Sequence, residues 1–136
     1  LFIDWHQTTG TRDFAAFLSI PACLKFRKEE QWDNVAEVCR TMAIAQAPRF
    51  CALMEQEALS PISEEFIGQL FSIPIQTDNP LELKRLLYEK YRIEIPVTEQ
   101  NGNYYLRYSI QGFNTEEDLD ALFEAMESLK KTGIIY

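Results

Sequence analysis

The dipeptide Asn101-Gly102 constrains this chain more than any other stretch. Asn-Gly suits the two positive-φ positions of a tight hairpin turn, whose twist matches that of paired strands. Both flanks agree with a hairpin. Before it, Arg92-Ile93-Glu94-Ile95-Pro96-Val97 alternates polar and apolar residues, as a half-buried strand does. After it, Tyr104-Tyr105-Leu106-Arg107-Tyr108-Ser109-Ile110 is an aromatic and aliphatic run bounded by turn residues, which predicts a second strand. Side chains alternate along a strand, so Arg107 is expected to face with Tyr105 and Ser109, opposite Leu106 and Tyr108.

Caps and periodicity supply the neighbouring elements. Asn114 stands where it can cap a helix, with Glu117 three residues later as in a capping box. Leu119, Leu122, Phe123, Met126 and Leu129 then form one apolar stripe, and Lys130, Lys131 and Gly133 close the end. Upstream, Asn79 is a cap, Pro80 fits the first helical position, Glu82 is the capping-box partner, and Leu83, Leu86, Leu87 and Tyr91 make a buried stripe. Gly68 to Gln76 reads as a strand in which Pro74 requires an edge or the end of pairing.

The first half reads as helical. Trp32, Val35, Cys39, Met42, Gln46, Phe50 and Leu53 recur at spacings of three and four, while Pro48 predicts a kink or break near Ala43 to Ala47. An earlier helical run from Phe14 to Phe26 contains Pro21, which bends it or opens a new first turn. The expected fold class is α+β. A small, mainly antiparallel sheet of about three strands carries helices on one face, preceded by a long kinked helical segment.

A net charge of −8 over 136 residues argues against nucleic acid and anionic membranes as partners. No apolar run approaches the roughly 20 residues of a membrane span. Cys23, Cys39 and Cys51 lack CxxC spacing, so neither a metal site nor a disulfide framework is expected. Cys39 falls among apolar helical positions and reads as an inert buried thiol, which fits a reduced, cytoplasmic protein. His6 stands without triad or metal partners, and Glu116, Glu117, Asp118 and Asp120 are accounted for by the first turn of a helix.

Two features carry possible chemistry. Gly10-Thr11, amid hydroxyls before a helix, can approach a phosphate, and Arg107 in mid-strand can hold a carboxylate or serve as an ion-pair partner. The pieces Gly10-Thr11-Arg12-Asp13 with Phe14 to Ala22, Arg92 to Val97, and Leu106-Arg107-Tyr108-Ser109 through Phe113 to Asp120 occur in a familiar order. Together they resemble the C-terminal part of the class V aminotransferase group of pyridoxal-phosphate enzymes. The isopenicillin N epimerase-like branch, related to the cysteine desulfurases, is the most similar. Phe113 stands where these relatives often carry tyrosine.

The resemblance implies roles. Gly10 and Thr11 match the pair that contacts the cofactor phosphate across a homodimer interface. Arg107 matches the arginine that clamps the α-carboxylate of an amino-acid substrate, and Ser109 matches the serine beside it. A planar guanidinium suits a carboxylate because two parallel hydrogen bonds fix position and angle. The family's Schiff-base lysine is expected upstream of Leu1, so this chain alone is expected to be inactive. Residues 1–12 would then be a linker or strand end from a large cofactor domain, and residues 13–136 the small C-terminal domain. A different class of function also suits strand-helix-strand-strand-helix: a free-standing ferredoxin-like regulatory or protein-interaction module.

Overall fold

A computed structural model describes Gly10 and residues 13–136. The chain divides into two compact units, Leu1–Asn34 and Val35–Tyr136. In the first, helix α1 spans Ala15–Glu29 and runs through Pro21 without opening a new helix there. The Asp13 carboxylate accepts the Ala15 N–H at 2.8 Å, which satisfies one orphan donor of the first turn. None of the described residues of this unit is buried. His6, Thr11 and the proposed strand end at Leu1-Phe2-Ile3 lie outside the described residues.

The second unit contains the sheet. Helix α2 spans Trp32–Met54, β1 Leu70–Ile75, α3 Pro80–Glu89, β2 Val97–Gln100, β3 Asn103–Ser109 and α4 Glu116–Lys131. The helical assignment of α2 continues past Pro48, so the chain does not break there. The three strands lie in the order β1-β3-β2, both pairs antiparallel. Strand β3 is therefore central, and Pro74 sits on edge strand β1 as its missing donor requires.

One face of the sheet makes the core. Phe71, Ile73 and Ile75 of β1 join Leu106 and Tyr108 of β3 in a buried cluster. The cluster continues through Phe50 and Met54 of α2, Leu83 and Leu87 of α3, and Leu119, Leu122, Met126 and Leu129 of α4. The stripes read from helical spacing are the buried faces. Ala125 joins the α4 stripe, whereas Phe123 is only partly buried. Cys39 is buried as expected, while Cys23 is exposed and Cys51 intermediate. Among the described residues no helix is long and apolar enough to cross a membrane.

Three local expectations are corrected. The cap of α4 is Thr115, not Asn114, and Asp118 rather than Glu117 occupies the third helical position. The Asp118 carboxylate accepts the Thr115 N–H at 3.1 Å, while the Asn114 side-chain oxygen accepts the Gln111 N–H at 3.0 Å. Asn114 thus closes the preceding turn instead of the helix. At α3, the Asn79 oxygen accepts the Glu82 N–H at 3.0 Å, but Glu82 does not return a bond to the cap. Its carboxylate pairs with Arg85, and Thr77 Oγ1 takes the Asn79 N–H.

The third correction concerns the alternating run before the hairpin. Only Val97–Gln100 pairs with β3, and Arg92 to Pro96 forms no strand. Arg92 adopts φ 60°, which an extended strand cannot hold, and Pro96 has no N–H for a ladder. Asn101 and Gly102 take φ 53° and 79°, the two positive values that the turn requires.

Leu106, wholly buried in the central strand, is the most informative core test. Leu106→Ala should lower unfolding free energy by about 2–5 kcal/mol through lost burial and a residual cavity, as measured by chemical denaturation. Asn79→Ala should cost about 1 kcal/mol in the same assay.

Candidate carboxylate site at the sheet edge

Tyr108 fixes the phase of β3. Its ring lies 5.6 Å from Phe50 and 5.7 Å from Phe71, centroid to centroid, and its hydroxyl donates to the Ala43 carbonyl at 2.7 Å. With Leu106 and Tyr108 committed inward, strand alternation turns Arg107 and Ser109 outward, and both are exposed. This is the orientation that the sequence predicts. Arg107 lies opposite Ser72 of β1, and no described residue engages its guanidinium in a hydrogen bond or ion pair.

Arg107 and Ser109 line one pocket of about 230 Å³ at the β2 side of the sheet. Ile93, Ile95, Leu119 and Leu122 give it an apolar wall, and Glu94, Asn114 and Asp118 add polar groups. Sequence reasoning found the arginine and the serine but missed this wall. The alternation of Ile93-Glu94-Ile95 predicts a strand, and in the structure these residues border the pocket instead of joining the ladder.

Burial raises the Tyr108 phenol well above its ordinary value, and the neighbouring Cys51 adds to that rise while Arg49 opposes it. Burial also raises the Cys51 thiol. Arg49 itself stacks on the Phe50 and Phe123 rings at 5.2 and 5.0 Å and pairs with Asp120 at 2.5 Å. No sequence pattern announces that arrangement, because its three partners come from two helices. It absorbs one arginine in packing and leaves Arg107 as the cation of the pocket.

The described residues do not by themselves fit a pyridoxal-phosphate site. Gly10 has φ 85° and is exposed, with open space where a side chain would stand, and Thr11 lies outside the described residues. None of Lys25, Lys28, Lys84, Lys90, Lys130 and Lys131 lines the Arg107 pocket. Lys130 is committed to the Leu53 carbonyl and Glu55, both at 2.7 Å.

No family model matches the chain. Over 127 residues it is 29% identical to isopenicillin N epimerase of Amycolatopsis lactamdurans, a match covering 92% of this chain and 32% of that protein. It is 32% identical over 127 residues to isopenicillin N epimerase of Streptomyces clavuligerus, covering 92% of this chain and 29% of the relative. The chain resembles isopenicillin N epimerases. A third match, 26% identical over 149 residues, is to the probable chloroplastic L-cysteine desulfhydrase of Arabidopsis thaliana, with 91% and 29% covered. The chain thus spans under a third to about a third of the length of the curated relatives it matches. These similarities, with the α+β architecture, are consistent with a class V aminotransferase-like C-terminal domain.

The Tyr108 environment has a pH consequence. A phenol whose folded pKa exceeds its unfolded value favours the folded state fully below the unfolded value of about 10, and that contribution is lost as pH rises beyond it. Unfolding free energy should therefore fall above pH 10. Tyr108→Phe should flatten this slope in denaturation curves recorded from pH 8 to 11.

Proposed function

We propose that this chain is the small C-terminal domain of a pyridoxal-phosphate enzyme acting on amino acids, and that Arg107 binds the substrate α-carboxylate. The observation that carries the reading is a guanidinium that no described residue engages, in an apolar-walled pocket, within a chain similar over 92% of its length to isopenicillin N epimerases. Arg107 stands on the central strand, which sets the position of its backbone, and a planar guanidinium can hold a carboxylate through two parallel hydrogen bonds. Ser109, two residues along the same face, borders the same pocket and supplies a second polar contact. Cα chemistry of the epimerase, transaminase or desulfurase kind is the reaction class that fits a held α-carboxylate.

Pyridoxal phosphate, when bound, supplies the electron sink that such chemistry needs. Gly10 and Thr11 are assigned to its phosphate on the strength of the family pattern, across a homodimer interface, in a cytoplasmic enzyme. The lysine that anchors it is assigned to protein outside this sequence. The part of this chain is to bind and orient: Arg107 holds the carboxylate, and the apolar wall offers a surface to the rest of the ligand.

Two measurements test this reading. In the intact enzyme, Arg107→Ala should weaken binding of the amino acid by about 1.5–3 kcal/mol, roughly 10- to 150-fold, while cofactor affinity is unchanged. An equal loss of both would identify a structural arginine instead. The purified 136-residue chain, with no cofactor added, should show no Schiff-base absorption band.

A further inference from the structure

The Arg107 pocket contains a second charge that the fold does not use. Glu94 lies between Ile93 and Ile95 on the segment that leads into β2, and it borders the same pocket as Arg107 and Ser109. Two backbone bonds hold that segment. The Ile93 N–H donates to the Leu87 carbonyl at 2.8 Å, and the Arg107 N–H donates to the Pro96 carbonyl at 3.2 Å. The second bond lays the segment alongside Arg107. Ile95 is buried there and Glu94 exposed. No described residue, Arg107 included, engages the Glu94 carboxylate in a hydrogen bond or ion pair. The other carboxylate of the pocket is already committed, since Asp118 Oδ2 accepts from Asn114 Nδ2 and from the Thr115 N–H, both at 3.1 Å. One guanidinium and one carboxylate thus share an apolar-walled pocket without pairing with each other.

From these two charges we infer that the site takes a basic amino acid, whose α-carboxylate meets Arg107 and whose distal ammonium meets Glu94. The α-amine stays free for the cofactor, as the chemistry proposed above requires. An aliphatic stem joins the charged ends of such a ligand, and Ile93, Ile95, Leu119 and Leu122 offer it an apolar surface. An acidic amino acid fits less well, because its second carboxylate would enter a pocket where Glu94 and Asp118 already outnumber Arg107. The inference rests on the carboxylate reading of Arg107 and adds the side-chain class of the substrate.

The test is a titration of the intact holoenzyme, followed by the change in cofactor absorption. Lysine is compared with norleucine and ornithine with norvaline, pairs in which a methyl group replaces the distal ammonium. At least one basic member should bind about two- to fivefold tighter than its apolar partner, the range of an exposed ion pair, and the preference should narrow as ionic strength rises. Glu94→Gln should remove the preference. Basic and apolar members bound equally by the unaltered enzyme, or a preference that Glu94→Gln retains, overturns recognition of the distal ammonium and leaves the carboxylate reading intact. Arg107→Ala should weaken all four ligands. Affinities that Arg107→Ala leaves unchanged overturn the carboxylate reading, and this inference with it.

Discussion

The buried phenol of Tyr108 is the contact on which the site depends. It joins the central strand to α2 through the Ala43 carbonyl and to the aromatic cluster through Phe50 and Phe71. A strand shifted by one residue exchanges its faces completely. Such a shift would expose Tyr108 and bury the Arg107 guanidinium, a change opposed by both hydrophobic transfer and charge desolvation. The outward position of Arg107 is thus a consequence of core packing, and needs no local device of its own.

Around that strand the helices hold the pocket wall. Leu119 and Leu122 belong to both the α4 core stripe and the pocket, so the same burial that anchors the helix shapes the site. The start of α4 is fixed by the Thr115 and Asp118 cap, and its end is tied to α2 through Lys130 and the Leu53 carbonyl. Both ends of the wall are therefore held by directional bonds. Preorganisation of this sort lets a cation discriminate ligand geometry instead of only attracting charge.

Much of this was legible in the sequence because local signals agreed with the global fold. The Asn101-Gly102 turn, the Pro80 helix start and the edge position implied by Pro74 each depend on backbone chemistry within a few residues. The faces of β3 were readable from period two alone. The misses share another cause. The α4 cap differed by one position because Asn114 and Thr115 are both good caps, and only the Gln111 N–H decides between them. Arg92 to Pro96 alternates like a strand, but pairing there is set by one missing N–H and one left-handed residue. The stacking of Arg49 on Phe50 and Phe123 depends on contacts across 74 positions (Arg49 to Phe123), which no local pattern records.

The proline on edge strand β1 has an effect separate from the site. Residues 69, 71, 73 and 75 turn their backbone groups toward β3, so those of Leu70, Ser72 and Pro74 point away from the sheet. Pro74 thus costs no internal bond. It removes a donor from the outer edge, whose far end is already closed where Gln76 exchanges both backbone hydrogen bonds with Tyr136 at 3.1 and 3.0 Å. The side of the sheet remote from Arg107 is in this way poorly suited to edge-to-edge growth, the route by which exposed strands seed fibrils.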